Sequence, residues 1–253
     1  MTTPSAPTGS SRVPSHVLIA IPAYNEEQTI EAVVHAVRSA APQFDVLVVN
    51  DGSNDATEAT LRRLDVTTAT HLCNLGYGRA VQTAIKYADR HGYEALITFD
   101  ADGQHRAQDI GPLYKAFSAG AFDLLIGSRF VQTRQYDMEP LLRRMGMRLF
   151  SALIALLFRQ RVYDTSSGLK VIPRRLFGPL MFRPFVDLHA EAIAYLLTLG
   201  YRVGEHPITV DRRRHGQSMY TTLRVVTYPL KVSLLMALGI IDARLMPRGS
   251  REH

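Results

Sequence analysis

The sequence predicts an α/β fold with a Rossmann-like, mostly parallel sheet and helices on both of its faces. Short, nearly unbroken apolar runs recur along the first half of the chain, as in HVLIAIP at residues 16–22. Such runs are typical of strands that are covered on both faces. Segments with the apolar spacing of a helix alternate with these runs. A repeated strand–helix order is the pattern of a parallel sheet with crossover helices.

The first half of the chain supplies most of the predicted elements, in strict alternation. The predicted strands are residues 16–22, 45–53, 67–72, 95–103 and 123–130. The predicted helices between them are residues 25–40, 55–64, 78–92 and 109–120. Gly92 is expected to end the third helix, since glycine is the usual residue just beyond a helix C-terminus.

The second half of the chain is less regular and contains two strongly apolar helix signals, LFSALIALLF at residues 149–158 and VSLLMALGII at residues 232–241. Between them lie a turn, a strand, a helix and a strand, at residues 163–168, 169–173, 189–200 and 201–210. Ten helical residues cover about 15 Å, half of a bilayer core of about 30 Å. Arginines bracket residues 149–158. The sequence therefore leaves open whether this helix is buried in the core or lies in a membrane interface.

The composition is that of a globular domain with a basic surface. The chain has 253 residues, a net charge of +6 and one cysteine, Cys73, so an internal disulfide is impossible. The basic balance favours anionic partners such as nucleic acid, anionic lipid or phosphorylated small molecules. We expect one composite domain at residues 16–221 and a C-terminal amphipathic, interfacial helix at 222–246. Residues 1–15 and 247–253 are predicted to be tails, the first of them disordered.

Polar residues follow four of the predicted strands: PAYNEE, NDGSND, DADGQH and GSR, in this order along the chain. In an open parallel sheet, ligands bind beyond the carboxyl ends of the strands. Asp100 and Asp102 carry hard oxygen ligands, which suit Mg²⁺ or Mn²⁺ bound together with substrate phosphates. Gln104 can add a neutral oxygen or hold a metal-bound water. The sequence therefore predicts a divalent cation site at the end of the fourth strand.

These motifs, together with NLGYGRA, SGLKV and GYRVGEHPI, resemble the family 2 glycosyltransferases. Within that family they are similar to the polyprenyl-phosphate sugar synthases of the dolichol-phosphate mannose synthase type, over residues 16 to 220. The resemblance implies a GT-A fold, a GDP- or UDP-sugar donor, a Mg²⁺ or Mn²⁺ cofactor and inversion at the anomeric carbon. It also implies a polyprenyl phosphate acceptor and a peripheral location at the cytoplasmic, inner face of a membrane.

The resemblance assigns roles by position. It implies that the nucleotide-sugar is bound by Pro22, Ala23, Tyr24, Glu26, Asp51, Asp100, Asp102, Gln104 and Arg202, with Asp51 on the base. The cation ligands are expected to be Asp100, Asp102 and Gln104. The acceptor phosphate is expected at Ser128, Arg129, Arg213 and Ser218, with Asp102 and Arg129 acting in catalysis. The synthases usually carry lysine where this chain has Met219, and Arg212 or Arg214 can replace that charge.

The acceptor determines whether a general base is needed. A polyprenyl phosphate is already anionic, whereas a sugar hydroxyl must lose its proton to a carboxylate. Asp187 and Glu191, four residues apart on one helix face, are the candidate bases. Their alternative roles are a charge at the helix N-terminus for Asp187 and a solvated or ion-paired side chain for Glu191.

Three other classes of protein fit the sequence less well. The glycines of NLGYGRA follow the third strand rather than the first, which argues against a dinucleotide-binding dehydrogenase. HAE at residues 189–191 resembles a zinc deaminase motif, but that site needs a cysteine pair. A nucleic-acid binder has only the basic run at residues 212–215 in its favour, so we expect no nucleic-acid partner. A membrane subunit or a homo-oligomer remains an open alternative.

Overall fold

A computed structural model describes residues 16–132, 141–182, 188–211 and 222–245 of the chain. The strands within these residues are β1 Val17–Ala23, β2 Asp45–Asn50, β3 Thr67–Thr70, β4 Ala95–Thr98, β5 Leu124–Ser128, β6 Lys170–Pro173 and β7 Val203–Pro207. The α-helices are α1 Ile30–Ala40, α2 Thr57–Arg63, α3 Tyr77–Arg90, α4 Ile110–Ser118, α5 Leu141–Phe158, α6 Phe177–Met181, α7 Ala190–Thr198 and α8 Thr222–Leu245. Short 3₁₀ turns precede α4 and α6, at Ala107–Asp109 and Arg174–Leu176.

The strands form one sheet in the order β3-β2-β1-β4-β6-β5-β7. Neighbouring strands are parallel except at β6, which is antiparallel to both β4 and β5. The predicted α/β architecture with a mostly parallel sheet is thereby confirmed. Because β6 runs in the opposite direction, its first residue, Lys170, pairs with the last residue of β4, Thr98. The turn before β6 consequently lies at the carboxyl end of β4.

Each face of the sheet is covered by its own hydrophobic core, as β1 illustrates. Val17, Ile19 and Ile21 pack into a cluster with residues of α1 and α4, whereas Leu18 and Ala20 pack into a cluster with α3 and α7. Successive side chains of a strand point to opposite faces, so a continuous apolar run fills both cores. This is why the strand sequences lack polar alternation.

Helices α5, α7 and α8 pack together over one of these cores. α8 packs against α7 and α5, and Val232, Met236 and Ala243 bury its inner side. α5 begins eight residues before the apolar run that predicted it, and it buries Phe150 and Ile154. Of the two alternatives for this apolar run, burial in the core is therefore correct for one side of the helix.

The opposite sides of α5 and α8 expose apolar residues in rows along the helix. The α5 stripe is Met145, Leu149 and Leu156, and the α8 stripe is Leu234, Leu238, Ile241 and Leu245. The exposed fractions of these side chains lie between 46% and 78%. Residues spaced by three, four or seven positions share one helix face. Each helix therefore presents a continuous apolar row to its surroundings.

Candidate functional site

The carboxyl ends of β1, β2, β4 and β5 meet at one edge of the sheet, as the sequence predicts. β1 is parallel to β2 and to β4. β4 and β5 are both antiparallel to β6, and hence parallel to each other. The four polar loops that follow these strands therefore share one edge, which is the candidate site.

The loops after β1 and β2 are fastened to each other by reciprocal hydrogen bonds. The amide of Asn25 donates to Ser53 Oγ at 3.0 Å, and the amide of Asn54 donates to Asn25 Oδ1 at 2.8 Å. Asn25 has a φ of 56°, a left-handed conformation that asparagine tolerates better than most residues. The two loops consequently form one rigid wall of the site.

The residues expected to bind the nucleoside lie on this wall. Pro22 and Ala23 are the last, buried residues of β1, and Tyr24 beyond them is half-buried. Glu26 is also half-buried: its amide donates to Thr57 Oγ1 at 2.9 Å, and its Oε2 accepts from Thr29 Oγ1 at 2.8 Å. Their contact with a nucleoside remains a prediction.

Asp51, expected to contact the base, is hydrogen-bonded within its own chain. Its Oδ1 lies 2.6 Å from His71 Nδ1 and accepts from the amide of Leu75 at 2.9 Å. Its Oδ2 accepts from the amide of Gly76 at 2.8 Å, and only 4% of the side chain is exposed. His71 Nε2 in turn lies 2.8 Å from Thr83 Oγ1. Asp51 thus fixes the loop before α3, a role that the sequence did not indicate.

The Asp100 carboxylate lies at the carboxyl end of β4. One of its oxygens has a partner, and the other has no hydrogen-bond partner among the described residues. Oδ2 lies 3.3 Å from His105 Nε2, whereas Oδ1 is buried and has no hydrogen-bond partner among the described residues. Burial raises the pKa of Asp100, but the hydrogen bond from His105 and the nearby charges of His105 and Lys170 outweigh it and hold the pKa at about 2. The carboxylate is therefore ionised at neutral pH.

Gly168, in the turn before β6, packs directly against the Asp100 carboxylate. A Cβ atom at this position would overlap both carboxylate oxygens of Asp100. Thr98 Oγ1 donates to the carbonyl of Gly168 at 2.5 Å and accepts from the amide of Lys170 at 3.1 Å. The turn is thus held beneath the acidic pair, where only glycine fits.

The side chains at this point fit a divalent cation that arrives with a diphosphate. The bare, buried Oδ1 of Asp100 lacks the partner that a buried anion requires. Asp102 and Gln104 lie on the same loop, half-buried, and Asp102 Oδ1 accepts from the amide of Gln104 at 3.0 Å. Among the described residues, no group of three or more His, Cys, Asp or Glu side chains can hold a metal by itself. Water and phosphate oxygens would complete the shell, as is usual for magnesium.

Arg129, at the end of β5, is paired with a buried carboxylate that the sequence did not single out. Its Nε and Nη2 donate to Asp164 at 2.7 and 2.8 Å, and Nη2 also donates to Ser166 Oγ at 3.0 Å. Asp164 is fully buried. Burial raises its pKa, but the charge and hydrogen bonds of Arg129 outweigh burial and hold the pKa below its usual value. Ser128 is also buried, and its Oγ accepts from the amide of Phe130 at 3.3 Å. Contact of Ser128 and Arg129 with phosphate remains a prediction.

Glu205 on β7 holds the backbone around Asp164, the partner of Arg129. Its two carboxylate oxygens accept from the amides of Tyr163 and Asp164, each at 2.8 Å. Burial raises the pKa of Glu205 in spite of these bonds. We name the loop after β4, residues 99–106, the cation loop. The segment YDTSSG, predicted only as a turn, therefore connects the cation loop to Arg129.

A cluster of buried titratable groups lies beneath the site. Burial lowers the pKa of Lys170 to about 8, although three carboxylates act in the opposite direction. Burial and the charge of Lys170 lower the pKa of His189 to about 3, so this imidazole is neutral. Glu191 is fully buried, and its charge acts on Lys170. Solvation of Glu191, one of its expected roles, is therefore wrong, because helix α7 turns this side chain inward.

The expected contact of Arg202 with the nucleotide-sugar is contradicted by its position. Arg202 precedes β7, and its neighbour Val203 pairs with the first residue of β5, Leu124. Its Nε donates to Asp123 Oδ2 at 3.2 Å, at the amino edge of the sheet. The candidate site lies beyond the carboxyl ends of the same strands. Arg202 therefore stabilises the opposite edge of the molecule.

Three predicted site residues, Asp187, Arg213 and Ser218, lie outside the described residues, as do Arg212, Arg214 and Met219. The described chain reaches Asp211, whose amide donates to the carbonyl of Gln104 at 2.8 Å.

Comparison with known proteins identifies the family. The sequence profile described as Glycosyl transferase family 2 matches residues 18–179, more than half of the chain. The chain belongs to this family and is a glycosyltransferase. It is 30% identical over 242 residues to a polyprenol monophosphomannose synthase of Mycolicibacterium smegmatis, covering 91% of each chain. It is also 30% identical to an undecaprenyl-phosphate mannosyltransferase of Micrococcus luteus, covering 80% of this chain and 86% of the other.

Solved structures support the fold. Glucosyl-3-phosphoglycerate synthase of Mycobacterium tuberculosis, crystallised with Mn²⁺ and UDP-glucose, superposes with a TM-score of 0.60 at 15% identity. The match covers 88% of this chain and 78% of that one. The predicted GT-A fold is thereby confirmed.

Proposed function

We propose that this glycosyltransferase transfers a sugar from a GDP- or UDP-sugar to a polyprenyl phosphate, with inversion and with Mg²⁺ or Mn²⁺. The observation that carries the proposal is the ionised Asp100, whose buried Oδ1 lacks a hydrogen-bond partner among the described residues and which is separated from Asp102 by one residue. Such a pair fits a divalent cation, and a nucleoside diphosphate would supply the remaining oxygens. The names of the relatives, which act on polyprenol and undecaprenyl phosphate, support the acceptor.

The chain's own residues would divide the work as follows. Asp100, Asp102 and Gln104 hold the cation, which when bound supplies positive charge to the diphosphate leaving group. The wall formed by the loops after β1 and β2 positions the nucleoside. Arg129 stands at the neighbouring strand end, and its fixed guanidinium can donate to a phosphate oxygen. Asp164 keeps that guanidinium in one orientation, with the geometry given above.

Burial of Glu191, one of the two candidate bases, favours a phosphate acceptor over a hydroxyl acceptor. In the transfer, an acceptor oxygen bonds to the anomeric carbon while the bond from that carbon to the diphosphate breaks. A sugar hydroxyl would have to give its proton to a carboxylate within hydrogen-bonding reach. Glu191, the candidate base that lies within the described residues, is fully buried. Asp187, the other candidate, lies outside them. A phosphate oxygen needs no base.

The proposal keeps Arg213 and Ser218 as residues of the acceptor phosphate, on the resemblance alone. Both lie outside the described residues.

The two apolar stripes support peripheral binding to an anionic membrane. No helix among the described residues has the length and apolar character needed to cross a bilayer. The stripes of α5 and α8 are accompanied by exposed basic residues: Arg148, Arg159, Lys231 and Arg244. An apolar row beside basic side chains is the pattern of a helix lying in an anionic membrane interface. A lipid phosphate would then reach the site from the membrane surface.

The test is transfer of label into lipid. Purified protein is incubated with Mg²⁺ or Mn²⁺, a polyprenyl phosphate and a panel of radiolabelled GDP- and UDP-sugars, and label entering the organic phase is counted. We expect label from one donor, lost in Asp102→Ala and in EDTA. Asp89→Ala is the matched control, since Asp89 lies in an exposed ion pair with Arg174, apart from the site. Metal-dependent donor binding without lipid labelling would contradict the lipid acceptor and favour a hydroxyl acceptor.

A further inference from the structure

The chain that follows β7 is joined to the cation loop and to Asp109 by backbone and side-chain hydrogen bonds. Val210 forms an isolated antiparallel bridge with His105. The amide of Asp211 donates to the carbonyl of Gln104 at 2.8 Å, and the amide of Thr209 donates to Asp109 Oδ2 at 3.0 Å. We name residues 209–211 the clasp. The clasp is hydrogen-bonded to the backbone of Gln104 and His105, whose side chains lie at the candidate site.

A bidentate ion pair closes the clasp. Arg106 Nη2 donates to Asp211 Oδ1 at 2.6 Å, and Arg106 Nε lies 3.2 Å from both oxygens of the same carboxylate. Each side chain is 47% exposed. Paired donors of a guanidinium fix the orientation of a carboxylate more strictly than a single contact does. The pair therefore determines how the clasp sits on the loop.

The clasp acts on the site through Gln104 and His105, the two residues that precede Arg106. Gln104 is held by its carbonyl, and its amide in turn donates to Asp102 Oδ1. His105 is held by its backbone bridge, and its Nε2 faces Asp100 Oδ2. Loss of the clasp would therefore loosen both acidic residues together.

We propose that Arg106 and Asp211 are positioning residues that fix the cation loop in the arrangement required to bind a divalent cation with a nucleoside diphosphate. This inference rests on the proposed function. Neither residue is a cation ligand. Their contribution is to reduce the conformations open to the loop before the cation arrives, which strengthens binding without adding a contact.

The experiment measures Mn²⁺ binding directly, so that it does not depend on turnover. Free Mn²⁺ is followed by electron paramagnetic resonance in the presence of GDP or UDP, for the unaltered protein, Arg106→Asp, Asp211→Arg and the double variant that exchanges the two charges. The matched control is the same set at Arg174 and Asp89. That pair is 3.0 Å apart, with 48% and 44% exposed side chains, and it lies away from the site.

We expect each single variant to raise the Mn²⁺ dissociation constant about two- to five-fold, the range for exposed ion pairs. The charge-exchanged double variant should recover at least half of that loss. The Arg174 and Asp89 variants should leave the dissociation constant unchanged, while melting temperatures change similarly for the two pairs.

Three results would overturn the inference. If the unaltered protein binds Mn²⁺ and the Arg106 and Asp211 variants bind it equally well, the clasp has no positioning role, and the proposed function stands. If the double variant is as weak as the single variants, the pair itself is not the cause. If the unaltered protein binds no Mn²⁺ with either nucleotide, the proposed function fails, and the inference fails with it.

Discussion

At the scale of single residues, the candidate site depends on side chains whose partners are fixed. Asp100 has one oxygen near His105 and one without a hydrogen-bond partner among the described residues, whereas Asp51 accepts hydrogen bonds from the loop before α3. A buried carboxylate is stable only where charges or donors compensate its lost hydration. The incomplete compensation of Asp100 therefore distinguishes it from the structural Asp51.

The first prediction at this scale concerns Gly168. In Gly168→Ala the new methyl group must displace the Asp100 carboxylate, because its position overlaps both oxygens. Displacing groups that orient a metal ligand typically weakens metal binding by about 10- to 100-fold. We expect a loss of Mn²⁺ affinity in this range, measured by calorimetry with GDP or UDP present.

Gly111→Ala is the matched control, since a Cβ atom at Gly111 meets nothing within 4 Å. It should bind Mn²⁺ as the unaltered protein does. Equal affinity in the two variants would show that Asp100 does not hold the cation.

The second prediction concerns His189 and acid stability. The pKa of this buried imidazole is about 3, whereas an unfolded histidine titrates near 6.5. Below about pH 6.5 the unfolded chain therefore binds a proton that the folded protein does not, so stability falls as the pH decreases toward 3. The slope from one such group is at most about 1.4 kcal/mol per pH unit.

His189→Gln should reduce this slope between pH 6.5 and 5, measured by urea unfolding. His35→Gln, at an exposed position of α1, should keep it. A slope unchanged by His189→Gln would mean that the imidazole is protonated in the folded protein.

At the scale of elements, one reversed strand organises the site. β6 is antiparallel to both of its neighbours, so the turn before it reaches the carboxyl ends of β4 and β5. That turn contributes Asp164 to Arg129 and Gly168 to Asp100. Helices α5 and α8 each bury one side and expose an apolar stripe on the other.

The prediction at this scale is that the stripes bind anionic lipid. Combining Leu156→Ser with Leu238→Ser should weaken cosedimentation with phosphatidylglycerol vesicles by about ten-fold or more, because a fully buried leucine contributes about 1.5–3 kcal/mol. Leu72→Ser, at a fully exposed leucine outside both stripes, should bind as before. If vesicle binding is unchanged and the double variant instead dissociates a dimer, the stripes form a protein interface.

At the scale of the whole molecule, the sheet separates two cores and holds the four polar loops at one edge. Loops contributed by distant parts of the chain therefore share any ligand bound there. A ligand that binds only the folded protein stabilises all of it by mass action.

We accordingly expect Mn²⁺ together with the cognate nucleoside diphosphate to raise the melting temperature. At a hundred times the dissociation constant, the stabilisation is about 2.7 kcal/mol, which corresponds to roughly 5–10 °C for a chain of this size. EDTA should reverse the shift, and Asp102→Ala should abolish it. A shift with nucleotide alone, unaffected by EDTA, would contradict cation-dependent binding.

The sequence by itself determined the fold class and the location of the site. Apolar runs and helical spacing depend on which faces of each element are buried, so they predicted β1 to β5 and the intervening helices. Polar residues directly after the strands predicted the shared edge, because parallel strands end together. The chemistry of Asp100 and Asp102 predicted the class of cation, whose binding remains to be measured.

Only the tertiary structure decided which side chains pair. Asp51 and His71 are 20 residues apart, Arg129 and Asp164 are 35 apart, and Arg106 and Asp211 are 105 apart. The reversal of β6 and the location of Arg202 at the opposite edge also depend on strand order. Local patterns record burial and spacing along one element. The partner of a charged side chain depends instead on which distant segment the strand order brings beside it. The sequence of one element does not contain that information.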